Sequence, residues 1–138
     1  MDKVLNYLSL ARKGGMAELG EEPVGAMART GKAYLILVAA DASDHTWRRA
    51  KSFAAGTNQQ VVRGKFTKDE MGFAIGRTSL AIAAITDAPL ALAMVQAMGE
   101  PEKHKEAIGV LTDKVNHLKK RKAEAKAHQR NVRMGKKK

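Results

Sequence analysis

Two apolar runs constrain this chain more than any other feature. They are Tyr34-Leu35-Ile36-Leu37-Val38-Ala39-Ala40 and Leu80-Ala81-Ile82-Ala83-Ala84-Ile85-Thr86. Their length and lack of polar alternation suit strands buried on both faces. A strand covered twice needs helices above and below it, and the sequence between and around the runs supplies them. Val4, Leu5, Leu8 and Ala11 repeat at helical spacing until Gly14-Gly15. Glu21-Glu22-Pro23 reads as a helix start, with carboxylates in the first turn and Pro where its missing N–H costs least. Asp41-Ala42-Ser43-Asp44 predicts a loop and cap for a helix from about His45 to Gly56. Thr67-Lys68-Asp69-Glu70 has capping-box spacing and opens a helix ended by Gly76. Pro89 starts another through Met98. Met16–Leu19 is predicted as a short edge strand and Gln60–Arg63 as a weaker one. The pattern predicts an α/β fold: a three-layer α-β-α sandwich around a sheet of about four strands, with a C-terminal basic helical extension.

Charge divides the 138 residues unevenly. The net charge is +11. Residues 1–98 carry 12 basic and 9 acidic side chains, whereas residues 99–138 carry 13 and 5. The expected organisation is therefore a globular domain over 1–98 and a basic extension over 99–138, hinged at Gly99-Glu100-Pro101. In the extension, Ile108, Leu111, Val115 and Leu118 form one narrow helical stripe, which either docks on the domain or meets a partner. Gly109 weakens that helix by about 1 kcal/mol relative to Ala. Lys119-Lys120-Arg121-Lys122, Lys126, Arg130, Arg133 and Lys136-Lys137-Lys138 follow, read as helix fading into a disordered tail. A small protein this basic is expected to meet a polyanion.

Catalytic patterns are not found. There is no HExxH, GxSxG, Walker loop or GxGxxG, and no Cys for thiolate chemistry. Asp41, Asp44 and His45 form the best metal-like cluster, more simply read as carboxylates favoured at a helix N-terminus. No enzyme activity, cofactor or metal is expected. His104, His117 and His128 are read as solvated or phosphate-facing. Trp47 is read as packed on its helix, with stacking on a base as the alternative. No run approaches the roughly 20 apolar residues that span a bilayer. The N-terminus lacks a signal peptide's features, so a cytoplasmic protein without a membrane partner is expected. A monomer is expected.

Several motifs occur in a telling order. Leu8-Ser9-Leu10-Ala11-Arg12-Lys13-Gly14-Gly15 is followed by Gly20-Glu21-Glu22, by Gly31-Lys32 with the first apolar run, by Met71-Gly72-Phe73-Ala74-Ile75-Gly76-Arg77, and by the strand ending Ala84-Ile85-Thr86-Asp87. Over about residues 3–98 this resembles the ribosomal protein L-seven-Ae family of kink-turn RNA binders, in particular its bacterial branch. The resemblance implies an RNA-reading face made of two parts. One is the turn Gly20-Glu21-Glu22-Pro23, and the other is the loop Arg77-Thr78-Ser79-Leu80. Backbone N–H groups at the helix start would hold phosphates. The loop's hydroxyls and apolar side chain would press on an exposed base. Family members carry Asn-Glu in the first turn and a Lys three residues after the Glu, where this chain has Glu22, Pro23 and Ala26. An Asn amide donates and accepts, whereas the Glu22 carboxylate only accepts, as from guanine N1 and N2. Lys13, Arg29 and Lys32 are the candidates to supply the missing positive charge.

Function is therefore expected to be RNA binding, associated with the ribosome or translation, with Lys119, Lys120, Arg121 and Lys122 making non-specific phosphate contacts. A ribosomal or protein partner could also use the extension. The alternative is a protein-interaction module that keeps the fold and uses the 108–118 stripe as its partner face.

Overall fold

The computed structural model describes residues 2–133, with side chains through residue 127. The Lys136-Lys137-Lys138 end of the predicted tail lies outside the described residues. The elements run α1 Lys3–Lys13, β1 Ala17–Leu19, α2 Glu21–Arg29, β2 Leu35–Val38, α3 Asp44–Ala54, β3 Gln60–Arg63, α4 Lys68–Ala74, β4 Ile82–Ile85, α5 Ala88–Ala97 and α6 Lys105–Arg133. The helix starts follow the local chemistry. Asp2 caps α1, Ser43 caps α3, and Asp87 caps α5 with Pro89 in its first turn. Thr67 and Glu70 close a full capping box on α4.

Four strands form one sheet in the order β1-β4-β2-β3. β4 lies antiparallel between β1 and β2, and β3 runs parallel to β2 at the far edge. Every residue of β2 and β4 is buried, as their unbroken apolar runs require. Helices α2 and α3 pack together and cover one face of the sheet, while α4, α1, α5 and α6 pack side by side in that order on the other. The result is an α-β-α sandwich.

The chain beyond residue 98 returns to this body. After a turn at Gly99 to His104, α6 packs along α5 and β3. Ala107 and Leu111 belong to the main core, and Val115 is also buried. The 108–118 stripe is therefore occupied within the molecule. This corrects the alternative in which it served as a free partner face: the apolar side chains that would greet a partner already cover the sheet edge and α5. Helix α6 runs 29 residues. At 1.5 Å per residue it is about 43 Å long, and all described side chains from Lys119 through Ala127 are exposed.

His104 also departs from expectation. It is 6% exposed rather than solvated, wedged where α6 begins, beside Gly64, Lys65 and Phe66. Burial lowers its pKa from the usual 6.5, neighbouring Lys103 lowers it further, and Glu100 opposes both. His117 is exposed, and the His128 side chain lies outside the described residues.

Candidate nucleic-acid interface

The site is built where β1 passes into α2. Gly20 adopts φ 97° and ψ 162°, a region essentially closed to residues with a Cβ. That geometry turns the chain sharply. The Gly20 N–H donates to the Ile82 carbonyl (3.0 Å), and the Gly20 carbonyl accepts from the Val24 N–H (3.0 Å). The first of these bonds ties the turn to the start of β4, which directly follows the loop 77–81. Two segments some sixty residues apart in sequence are thereby brought to one end of the sheet. No side chain caps α2, so the N–H groups of Glu21 and Glu22 are left for an outside acceptor.

The loop is held as firmly as the turn. Arg77 N–H donates to the Gly72 carbonyl (2.8 Å), and Leu80 N–H donates to the Lys68 carbonyl (3.0 Å). Gly72 is what lets the loop lie down on α4: a Cβ there would sit 2.7 Å from Ser79 N and Cα and 2.9 Å from the Arg77 carbonyl oxygen. Asp41 Oδ1 accepts from the Lys68 N–H (2.8 Å) and pins the start of α4 to the loop after β2. Asp41 thus works as a helix-end acceptor, and Asp44 lies in the first turn of α3. Among the described residues no three His, Asp or Glu side chains converge on a metal position.

The predicted site residues fall into three groups. Gly20, Glu21, Glu22 and Pro23 lie with Arg77, Thr78 and Ser79 at one end, which we call the Gly20 end. Glu22, Pro23, Arg77, Thr78 and Ser79 are exposed. Glu21 is turned aside to α3, where Arg49 Nε donates to its Oε1 at 2.8 Å and His45 Nε2 stands 3.8 Å away. Leu80 is 3% exposed. Its side chain is core and is not free to press on a base as expected.

Lys13, Arg29 and Lys32 form the second group, away from the Gly20 turn. Ile85, the last residue of β4, pairs with Ala17 and Leu35. The residues that precede β1 and β2 therefore lie at the end of the sheet opposite Gly20. Three strand steps put the two ends about 10 Å apart, and α2, which runs back along the sheet, covers a similar distance of about 12 Å from Glu21 to Arg29. Lys13, Arg29 and Lys32 therefore do not stand beside the Gly20 turn. At the Gly20 end, Arg77 is an exposed cation in no ion pair among the described residues. The third group, Lys119 to Lys122, lies on the exposed part of α6.

Sequence reasoning missed two residues that shape these ends. Arg49 holds Glu21, and it also lies over the Phe53 ring (5.2 Å). Gln59 is buried and knits the Lys32 end together: its Oε1 accepts from the Ala33 N–H (2.9 Å), and its Nε2 donates to the Ala28 carbonyl (3.2 Å) and to Thr57 Oγ1 (3.1 Å). Neither carries a local signal for its distant partners, Glu21 for Arg49 and Ala28 and Ala33 for Gln59. Trp47 is half-buried, with the Arg63 guanidinium at 4.7 Å and Lys51 Nζ at 5.3 Å from its rings. Cations already hold the ring face that a base would need.

This arrangement is a known fold. A protein of unknown function from Bacillus halodurans superposes with a TM-score of 0.67 at 23% identity, over 72% of this chain and all of that one. A 15.5 kDa RNA-binding protein from Giardia lamblia superposes with a TM-score of 0.60 at 19% identity, over 72% of this chain and 85% of that one. No family model and no curated protein matches the sequence. No helix among the described residues is long and apolar enough to cross a membrane.

Proposed function

We propose that this is a non-enzymatic RNA-binding protein that grips a sharply bent RNA, of the kink-turn kind, at the Gly20 end, and works with the ribosome or the translation apparatus. The observation that carries this reading is the Gly20 N–H bond to Ile82. It sets an uncapped helix N-terminus beside an exposed loop bearing Arg77, Thr78 and Ser79. Free N–H groups suit a phosphate oxygen, the hydroxyls suit ribose or base edges, and the Glu22 carboxylate suits a guanine N1–N2 edge. The Giardia neighbour's RNA binding and the net charge of +11 agree with this reading.

Two substitutions test it in the full chain. Arg77→Ala should weaken a kink-turn RNA about tenfold, the size of one charge-assisted contact. Glu22→Ala should change the preference for a kink-turn over a straight duplex. If both variants bind and discriminate as the parent does, RNA is not read at this end.

A further inference from the structure

The face by which α6 docks continues beyond the domain as a face of positive charge. Lys119 and Lys122 follow Val115 and Leu118 by four residues each, and Lys126 follows Lys122 by four. On a helix these positions stack on one side. The sequence keeps the spacing at 130 and 133, both basic. The stripe that is apolar where α6 lies on β3 and α5 thus becomes basic where α6 leaves them.

The direction of α6 shows what that stripe overlooks. His104 sits beside Gly64, just past β3, at the Gly20 end. Ten residues later, Lys114 Nζ lies 5.6 Å from the centre of the Tyr34 ring. There Val110 to His117 border a cleft of about 430 Å³ with Gly31, Tyr34 and the 57–59 loop. Helix α6 therefore crosses the molecule along the sheet edge and projects past the Lys32 end. Its basic stripe is on the domain side, so helix and domain end form a corner. Lys119, Lys122 and Lys126 are exposed on the projecting helix, and Arg29 and Lys32 are exposed at the domain end that it passes. The acidic side chains at this end include Asp113, in the cleft, Asp87, which caps α5, and Glu124, off the stripe.

We propose that this corner is a second nucleic-acid surface, built for the backbone of an RNA double helix, at the opposite end of the molecule from the Gly20 turn. From Lys119 to Lys126 the stripe spans about 10 Å of helix. A ligand that meets cations over this length, and presents charge to helix and domain end at once, is a rigid polyanion. Contacts to phosphate carry no sequence information, so the corner should take duplexes of any sequence. Combined with the proposed kink-turn face, on whose reading only this bridging consequence rests, the protein would hold two RNA segments together.

The test uses the full chain and a 20-base-pair RNA duplex without internal loops. Neutralising about five phosphates predicts a slope of log K against log salt near −4 to −5. Lys119→Glu/Lys122→Glu/Lys126→Glu should weaken the duplex at least a hundredfold in 100 mM salt. Arg29→Glu/Lys32→Glu should weaken it at least tenfold. Arg77→Glu should leave it unchanged. Helical circular dichroism of each variant confirms folding. In a capture assay, immobilised kink-turn RNA plus protein should retain the labelled duplex, and the triple variant should not.

Three results would overturn the corner. One is duplex binding that ignores Arg29 and Lys32, which would leave a bare basic helix. Another is duplex binding lost equally in Arg77→Glu, which would place both RNAs on one face. The last is no duplex binding at all, as for a surface that serves an acidic protein. If the duplex binds at the corner while kink-turn capture fails, the corner stands and the kink-turn reading falls.

Discussion

Two helical glycines offer a sharp test because the structure assigns them opposite signs. Gly72 lies in α4 under the 77–79 loop. A Cβ there would have to move from 2.7 Å to at least 3.4 Å from backbone atoms of Ser79, and backbone yields less readily than a side-chain tip. Overpacking of this kind costs about 1–3 kcal/mol, against a gain of about 1 kcal/mol in helix propensity. Gly72→Ala should therefore lose up to about 2 kcal/mol. Gly109 lies in α6 with nothing within 4 Å of its added Cβ, so Gly109→Ala should gain about 0.8–1 kcal/mol. Urea unfolding followed by circular dichroism reads both. With m of about 1–3 kcal/mol/M, the midpoints should shift by roughly half a molar, downward for Gly72→Ala and upward for Gly109→Ala, with m unchanged. The displaced loop should also cost Gly72→Ala its preference for a kink-turn, while Gly109→Ala keeps it. Equal shifts of one sign would refute the close packing of the loop on α4 and the placement of the site that depends on it.

Two further predictions concern stability. His104 has a folded pKa below the usual 6.5, so the unfolded chain takes up a proton that the folded chain refuses. Its contribution is full above about pH 6.5 and is lost as pH falls below that value. His104→Gln should flatten the fall in urea midpoint between about pH 7 and 5.5; an unchanged slope would mean that His104 titrates normally. Gln59→Leu leaves the buried Ala33 N–H and Ala28 carbonyl without Gln59 and should cost about 2–3 kcal/mol, measured by the same unfolding. A loss below about 0.5 kcal/mol would mean that those groups find other partners.

Much of the fold was legible because its signals are local. The capping box at Thr67 and Glu70, the Ser43 cap, and the two apolar runs each announce an element through neighbours in sequence. What escaped depends on strand order. Nothing local says that Lys13, Arg29 and Lys32 belong to the end opposite Gly20; that follows from the pairing of Ile85 with Ala17 and Leu35. Leu80 opens the second apolar run and also ends the loop that the resemblance implies; its burial agrees with the run. The 108–118 stripe was visible as a helix face, but whether it met the domain or a partner depended on the open edge of β3. His104 was read with the basic residues around it, and only the turn that starts α6 buries it.

The central claim is that the Gly20 end reads a bent RNA. It is tested most directly by titrating the full chain with a kink-turn RNA, and with the same RNA whose sheared G·A pairs are replaced by Watson–Crick pairs, at about 50 and 200 mM salt, the range over which phosphate contacts lose most affinity. The account predicts a preference for the kink-turn at both salts, with the ratio of affinities preserved as both affinities fall. Equal binding of the two RNAs, vanishing together at the higher salt, would contradict it.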